Sequence, residues 1–362
     1  MINILFIIHR LSYGGAEKIL TFLANKLSID GGFRVYIYTY EDTCKYHVLH
    51  DAVSFIGEND VAKMRFIRRF KQVIQMKRVI KRVKPDIIIS FLTMSNFLSV
   101  LAGKLTYTPV IISERGDPYQ YTSFWDKIFC FINSFADGAV FQTDAARKFY
   151  PRRLQKKSTV IANPVFIKDE SVIANLDSPA NEIAFVARFE IVQKRQDIMV
   201  QAFKIVNEKY PEMVLKFYGD GPDLDYVKNM VESMGLKDKV IFMGLSNNPT
   251  KDISNARVFV LSSDYEGIPN ALIEAMAIGM PVVSTDCSPG GARLLIENEV
   301  NGLLVPAGDY LAIAQAIIRY IENPDFARQC GNAAKQIKTK YAPEKIINQW
   351  KEYVDVICRR QA

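Results

Sequence analysis

The sequence predicts an α/β protein of two parallel-sheet domains facing each other across a cleft, and three observations predict it. Short, uninterrupted apolar runs recur along all 362 residues, the pattern of strands covered on both faces. Stretches of helical period separate them, so strands and helices alternate. The rhythm breaks near residues 165–181, after Pro164, where Asp169, Asn175, Asp177, Ser178, Pro179 and Asn181 occur with little periodicity. A chain of this length has room for two domains of ordinary size. In open parallel sheets, strand ends and helix starts surround the ligand.

In the first half, strands are expected at 2–8, 34–40, 86–91, 109–113, 138–142 and 158–162, where the apolar runs are continuous. Helical patterns fill 16–29, 64–84, 94–105, 121–136 and 143–150 between them. The second half places strands near 182–187, 213–218, 239–243, 257–262, 281–284 and 302–305. Its helices fit 195–209, 222–234, 268–278, 290–297, 309–322 and 324–339. Pro343 suits the first position of a last helix, because its missing N–H has no intrahelical partner to lose there. The expected domains are 1–165 and 182–342, with a linker at 166–181 and a helix at 343–362 packing back toward the first domain.

Composition removes several classes of function. An apolar fraction of 49% is that of a folded protein, and no apolar run reaches the roughly 18 residues that span a bilayer. Met1–Ile8 has no basic segment before it and no small-residue cleavage site after it, so it reads as a core strand rather than a leader. Cys44, Cys130, Cys287, Cys330 and Cys358 are scattered and odd in number, which suits reduced thiols in a cytoplasmic protein. With His9, His47 and His50 as the full histidine complement, a histidine-built metal site is not expected.

Charge is unevenly placed. Residues 1–165 carry net +11, although the whole chain carries +7. From Lys63 to Lys84 ten basic residues occur without an acidic one, interrupted by Ile67, Phe70, Ile74, Val79, Ile80 and Val83 at roughly helical spacing. Such a helix can be a solvated face, or it can lie on anionic lipid or a polyanion. Arg147, Lys148, Arg152, Arg153, Lys156 and Lys157 would assist attachment to an anionic membrane surface, with Phe66, Ile67, Phe70 and Ile74 as shallow apolar contacts. Nucleic acid is not an expected partner, since no aromatic-basic interleaving accompanies the charge.

The chemistry concentrates in a few loops. Gly14-Gly15 follows the first strand and opens a helix, which allows either close approach to a phosphate or a plain turn; the G-x-G-x-x-G spacing is absent. Arg188 closes the first strand of the second domain and Lys194 follows six residues later, a pair able to clamp a diphosphate or simply to be solvated. Gly219-Asp-Gly221 is a turn at the same sheet edge, structural or ligand-binding. Asp264-Tyr-Glu-Gly-Ile-Pro-Asn-Ala-Leu-Ile-Glu274 is the most informative stretch. It sets Glu266 at a strand's carboxyl edge and Glu274 about two turns into the next helix, either as an ordinary capped helix or around a ligand with hydroxyls and an anion. Pro281–Asp286 ends another strand in hydroxyls and a carboxylate, before Pro289-Gly-Gly291. No nucleophile elbow, Cys-His pair or P-loop occurs.

Together these motifs resemble the retaining glycosyltransferases of family 4, whose architecture is GT-B, two Rossmann-like parallel-sheet domains across a cleft. The resemblance runs from Gly14-Gly15 to the last helix, with Glu266-x₇-Glu274 around Gly267-Ile-Pro-Asn270, Arg188-x₅-Lys194 and Gly219-Asp-Gly221 its most specific parts. Ser90-Phe-Leu92 and Ile112-Ser-Glu-Arg115 add likeness to bacterial enzymes placing N-acetylgalactosamine or related sugars on undecaprenyl-diphosphate-linked glycans. The resemblance implies that Arg188 and Lys194 hold the donor diphosphate, Glu266 the transferred sugar and Glu274 the ribose. It further implies phosphate and sugar contacts from the backbone of Gly267, Ile268, Pro269 and Asn270, and from Gly14 and Gly15. Relatives often carry histidine where this chain has Arg115, which leaves Glu114 and Arg115 as acceptor-side candidates.

The implied activity is retaining transfer from a UDP-sugar, UDP-N-acetylgalactosamine as best guess, to a lipid-diphosphate-linked or other cell-surface glycan precursor. No metal or other cofactor is expected, and the enzyme would work at the inner face of the cytoplasmic membrane in polysaccharide biosynthesis. A nonenzymatic nucleotide-sugar or phospho-glycan sensor and a glycogen- or sucrose-type synthase are the alternatives. Glu266 is not expected to be a covalent nucleophile, since the two carboxylates serve different ligands.

Overall fold

The computed structural model describes residues 1–12, 14–41, 48–58 and 65–360, and the side chains of residues 65–67 are not among the described parts. Lys63, Cys44 and His47 therefore lie outside the description, as do the side chains of Phe66 and Ile67. The chain forms two compact units, Met1–Pro164 with the last helix, and Val165–Ala342.

Among the described residues of the first unit seven strands run in the order β3-β2-β1-β4-β5-β6-β7, every neighbouring pair parallel. They are β1 (Ile2–Ile8), β2 (Phe33–Thr39), β3 (Val53–Gly57), β4 (Ile87–Phe91), β5 (Val110–Ser113), β6 (Gly138–Phe141) and β7 (Ser158–Val160). The expectation missed β3. It is an edge strand with a partly exposed, polar-interrupted sequence, so it lacks the continuous apolar run that marks the central strands. The connecting helices are α1 (Gly15–Ile29), α2 (Arg65–Val83), α3 (Thr93–Thr106), α4 (Phe124–Asn133), α5 (Asp144–Phe149) and α6 (Arg152–Gln155). Helix α4 starts later than its apolar pattern suggests because Ser123 and Asp126 form a reciprocal capping box there.

Right-handed crossovers put α2, α3 and α4, which all lead rightward from β3 to β6, on one face of this sheet and α1 on the other. The last helix, α16 (Pro343–Arg359), belongs to this unit. Its Trp350 is fully buried and stacks on Phe91 with ring centroids 6.1 Å apart. Its Tyr353 hydroxyl accepts from the Ala139 backbone N–H at 2.8 Å.

In the second unit six parallel strands run β10-β9-β8-β11-β12-β13. They are β8 (Ala180–Val186), β9 (Val214–Tyr218), β10 (Val240–Gly244), β11 (Ala256–Leu261), β12 (Val282–Thr285) and β13 (Leu303–Val305). Between and after them lie α7 (Ile191–Lys194), α8 (Gln196–Lys209), α9 (Leu224–Ser233), α10 (Pro249–Ile253), α11 (Asn270–Ile278), α12 (Gly291–Leu295), α13 (Tyr310–Glu322), α14 (Pro324–Ala334) and α15 (Ile337–Lys340). The single helix expected over 324–339 is thus two. Residues 165–179 form no strand or helix, yet Ala174 N–H donates to Ile278 O and Asn175 N–H to Ser254 O, which fastens this stretch to the second unit.

Candidate active site

Strand order in the second unit reverses between β8 and β11, the point where an open parallel sheet leaves a crevice at its carboxyl edge. The loops leaving these two strands carry the strongest sequence candidates. After β8 the chain forms the single turn α7, ending at Lys194, and Arg195 then takes a left-handed conformation (φ 51°) before α8 begins. That backbone is pinned from β11's side, since Ser262 Oγ donates to the Lys194 and Arg195 carbonyls at 2.9 and 2.8 Å. The Arg195 guanidinium bonds Asp197 and Asp264 at 3.0 and 2.6 Å, and these two carboxylates hold its pKa above the usual arginine value.

Lys194 Nζ thereby meets Glu266 Oε1 as an ion pair. Glu266 is 7% exposed, and Ser263 Oγ also donates to its Oε1 at 3.0 Å. Gln193 Nε2 lies 3.5 Å from Oε2 and donates to the Tyr265 carbonyl at 3.2 Å. The Glu266 N–H donates to Ser288 O at 2.8 Å, tying this loop to the one after β12. Burial, reinforced by the nearby Glu266 charge, pushes the Cys287 thiol up to about 12, so that it stays a thiol.

Arg188 is placed differently. Its side chain is 66% exposed, its ion partner is Glu190 at 3.7 Å, and among the described contacts it does not join the Lys194–Glu266 pair. Gly219 and Gly221 line the turn after β9, where an added Cβ would strike the Ala187 and Phe189 carbonyl oxygens. Helix α11 begins at Asn270, after Pro269, with no side-chain cap. Glu274 is therefore its fifth residue, a little over one turn in rather than the expected two, because Ile268 and Pro269 remain outside the helix. Gly267, Ile268 and Pro269 form the link from Glu266 to that positive helix end.

Sequence reasoning missed Gln193, Ser263 and Arg195. Each directly adjoins a named candidate or the strand end, but only the folded turn shows which of these polar groups point at Glu266.

In the first unit Gly14 is the N-cap of α1, and a Cβ there would overlap the Glu17 carboxylate, which Ser12 Oγ also meets at 2.8 Å. Glu114 and Arg115 follow β5 and both are buried. Glu114 receives the Tyr121 and Tyr150 hydroxyls at 3.0 and 2.9 Å and Thr93 Oγ1 at 3.3 Å. Burial nevertheless raises its pKa. The Arg115 guanidinium lies over Phe91 and Trp350, donating to Ser113 Oγ at 2.8 Å and Asn163 Oδ1 at 3.0 Å, and burial lowers it to about 9. Among the described residues its Nη2 has no hydrogen-bond partner. Among the described residues no cluster of His, Cys, Asp and Glu is arranged to hold a metal ion.

Residues 13–168 match a family model described as Glycosyltransferase Family 4, and residues 167–337 one described as Glycosyl transferases group 1. The chain is 26% identical over 79% of its length to an exopolysaccharide phosphotransferase of Streptomyces coelicolor, and spans 30% of that protein. It is 28% identical, over 97% of both chains, to a Campylobacter jejuni alpha-1,4-N-acetyl-D-galactosaminyltransferase named for a PP-undecaprenol-linked glycan. The structure of Anabaena HepE in complex with UDP-glucose matches with a TM-score of 0.83 at 19% identity, covering 98% of this chain and 100% of that one. That likeness carries the fold, and the fold is GT-B.

Proposed function

We propose that the chain, whose two parts match the family 4 and group 1 glycosyltransferase models and whose fold is GT-B, is a glycosyltransferase that moves a hexose or N-acetylhexosamine, with retention, from a UDP-sugar to a glycan acceptor. The observation that carries this is the Lys194–Glu266 pair at the β8/β11 crevice, one cation and one carboxylate held by neighbours that fix both. Lys194, with Arg188 reaching in from solvent, would bind the diphosphate, and Glu266 the hydroxyls of the transferred sugar. Glu274 is assigned to ribose, and the backbone from Gly267 to Asn270, with Gly219 and Gly221, to phosphate and sugar. Gly14 and Gly15 keep their assignment to phosphate approach in the first unit. In the transfer the anomeric C–O bond to diphosphate breaks, its electron pair leaving with UDP. The acceptor oxygen bonds the anomeric carbon from the same face, and its proton passes to the departing phosphate oxygen. Preorganised cations stabilise the charge that develops on that phosphate.

The full-length likeness to an N-acetylgalactosaminyltransferase of a PP-undecaprenol-linked glycan supports UDP-N-acetylgalactosamine and a lipid-diphosphate-linked acceptor. Work on such an acceptor fits peripheral attachment at the inner face of the cytoplasmic membrane. Incubation with labelled UDP- and GDP-sugars and short glycan-diphosphate-lipid acceptors tests the reading. Transfer from a UDP-sugar, an α-linked product by NMR and full activity in EDTA are expected. Donor binding without transfer across the panel would return the sensor, and restoration of EDTA-treated protein by one divalent ion would contradict metal independence.

Arg115 is proposed to act on the acceptor side. Arg115→Lys keeps the charge but loses the planar fork over Phe91 and Trp350. It is expected to raise acceptor KM about tenfold, the equivalent of one charge-assisted hydrogen bond, with donor Kd unchanged. An unchanged acceptor KM would leave Arg115 as a structural group.

A further inference from the structure

Helix α4 exposes what a solvated helix buries. Seven of its ten residues are Phe, Trp, Ile or Cys, and its charged residues are Asp126, used in the capping box, and Lys127. One side packs inward through Cys130 and through Phe129, whose ring lies 4.7 Å from that of Phe97 on α3. The other side leaves Phe124, Trp125 and Phe131 at 72%, 60% and 61% exposure. Phe124, Ile128 and Phe131 fall at i, i+4 and i+7, an apolar stripe exposed at Phe124 and Phe131 and half-buried at Ile128 between them. No described helix is long and apolar enough to cross a membrane.

The surroundings are cationic. Residues 144–157, on α5, α6 and the turn after them, hold six basic residues and one acidic one, with Lys148, Arg152, Arg153 and Lys156 exposed. The Arg153 guanidinium lies 3.9 Å from the Phe135 ring centroid, and Phe135 packs edge-on against Phe131, so the positive group borders the apolar stripe. Helix α2 lies in the same layer, with Lys71, Arg78, Lys81 and Arg82 exposed. Its own apolar side is spent inward, because Met76, Val79 and Ile80 are buried in the core. Of the apolar contacts expected from α2, Ile74 is half-buried and Phe70 is exposed.

We propose that α4 is a membrane-docking element whose Phe124, Trp125 and Phe131 insert into the headgroup boundary of an anionic bilayer, while the α5–α6 cations and those of α2 neutralise the headgroups. Aromatic side chains favour that boundary, and a charged rim beside an apolar face is what shallow insertion requires. The lipid itself provides the binding, so the inference stands apart from the transfer reading and its test needs no substrate.

The chain has two tryptophans, and Trp350 is fully buried, so lipid contact is reported by Trp125. The full-length protein is mixed with vesicles of phosphatidylcholine, with or without phosphatidylglycerol, carrying brominated acyl chains. A blue shift and quenching with the anionic vesicles are expected, both absent in Trp125→Phe, which still floats with them. Phe124→Ser with Phe131→Ser should lower vesicle partitioning about tenfold, from lost apolar burial, with an unchanged melting temperature. Flotation without quenching would show attachment by charge alone and overturn the insertion. A blue shift that grows with protein concentration and no lipid would overturn it too, by showing that a second copy covers α4.

Discussion

Glu266→Ala is expected to lower kcat by about 10²–10³-fold, the scale of removing one preorganised polar contact from a transition state. The carboxylate is buried to 7% exposure and holds Lys194, with Ser263 and Gln193 arranged around it. Removing it strands Lys194 in a half-enclosed site, and breaking a buried pair from one side costs about 3–5 kcal/mol where both ions are fully desolvated. The Lys194 side chain is 18% exposed, so the cost here lies below that range. Glu266→Gln separates the two effects. It keeps the volume and an oxygen for Ser263 Oγ, so the melting temperature should return toward wild type while kcat stays low. Lys194→Ala should damage donor KM and kcat together. Arg188→Ala, on an exposed side chain whose pair contributes about 0–1 kcal/mol, should raise donor KM with no change in melting temperature. A well-folded Glu266→Ala protein with near-wild-type kinetics would remove the carboxylate from the mechanism.

The fold was legible because buried parallel strands write themselves as uninterrupted apolar runs. All six strands of the second unit, and six of seven in the first, lie where such runs occur. The exception, Val53–Gly57, sits at an edge and is only partly buried, so its residues need not form a continuous apolar run. Short turns were illegible for a related reason. Ile191–Lys194 and Pro249–Ile253 are too brief to show a helical period, yet the first of them delivers Lys194 to Glu266. The sequence spacing of Arg188 and Lys194 suggests a matched pair, whereas the fold holds one inward and leaves the other in solvent. The run from Lys63 to Lys84 pointed to a membrane through its charge. Its period, however, is equally that of a helix packing on a core, and Met76, Val79 and Ile80 do pack there. Apolar residues on α4 carry no mark in the sequence that separates an exposed stripe from a buried one, so only the structure distinguishes Phe124 and Phe131 from Cys130.

Gly291→Ala is expected to cost nearly as much activity as loss of Glu266, although residue 291 bears no side chain to touch a ligand. An added Cβ would overlap the Gly267 carbonyl oxygen and lie 3.1 Å from Ile268 Cα, so the obstacle is backbone and cannot swing aside. The same loops are bridged at Tyr265 and Ser288, and Glu266 N–H is bound to Ser288 O at 2.8 Å. A methyl group at 291 therefore pushes residues 265–268 away from α12 and takes the Glu266 backbone with them. A displacement of about 1 Å costs on the order of 10²-fold in rate when it misplaces a reacting group, and such overpacking costs about 1–3 kcal/mol of stability. Gly290→Ala is the internal control. Gly290 has φ +88° with no described atom within 4 Å of its Cβ direction, so the substitution strains one residue by about 1 kcal/mol without pressing on the Glu266 loop. The expected result is a modest fall in melting temperature with near-normal kcat for Gly290→Ala, and a collapse of kcat and donor affinity for Gly291→Ala. Equal kinetics in the two variants would mean that transfer does not depend on where the 265–268 backbone sits, and the role assigned to Glu266 would lose its geometric basis.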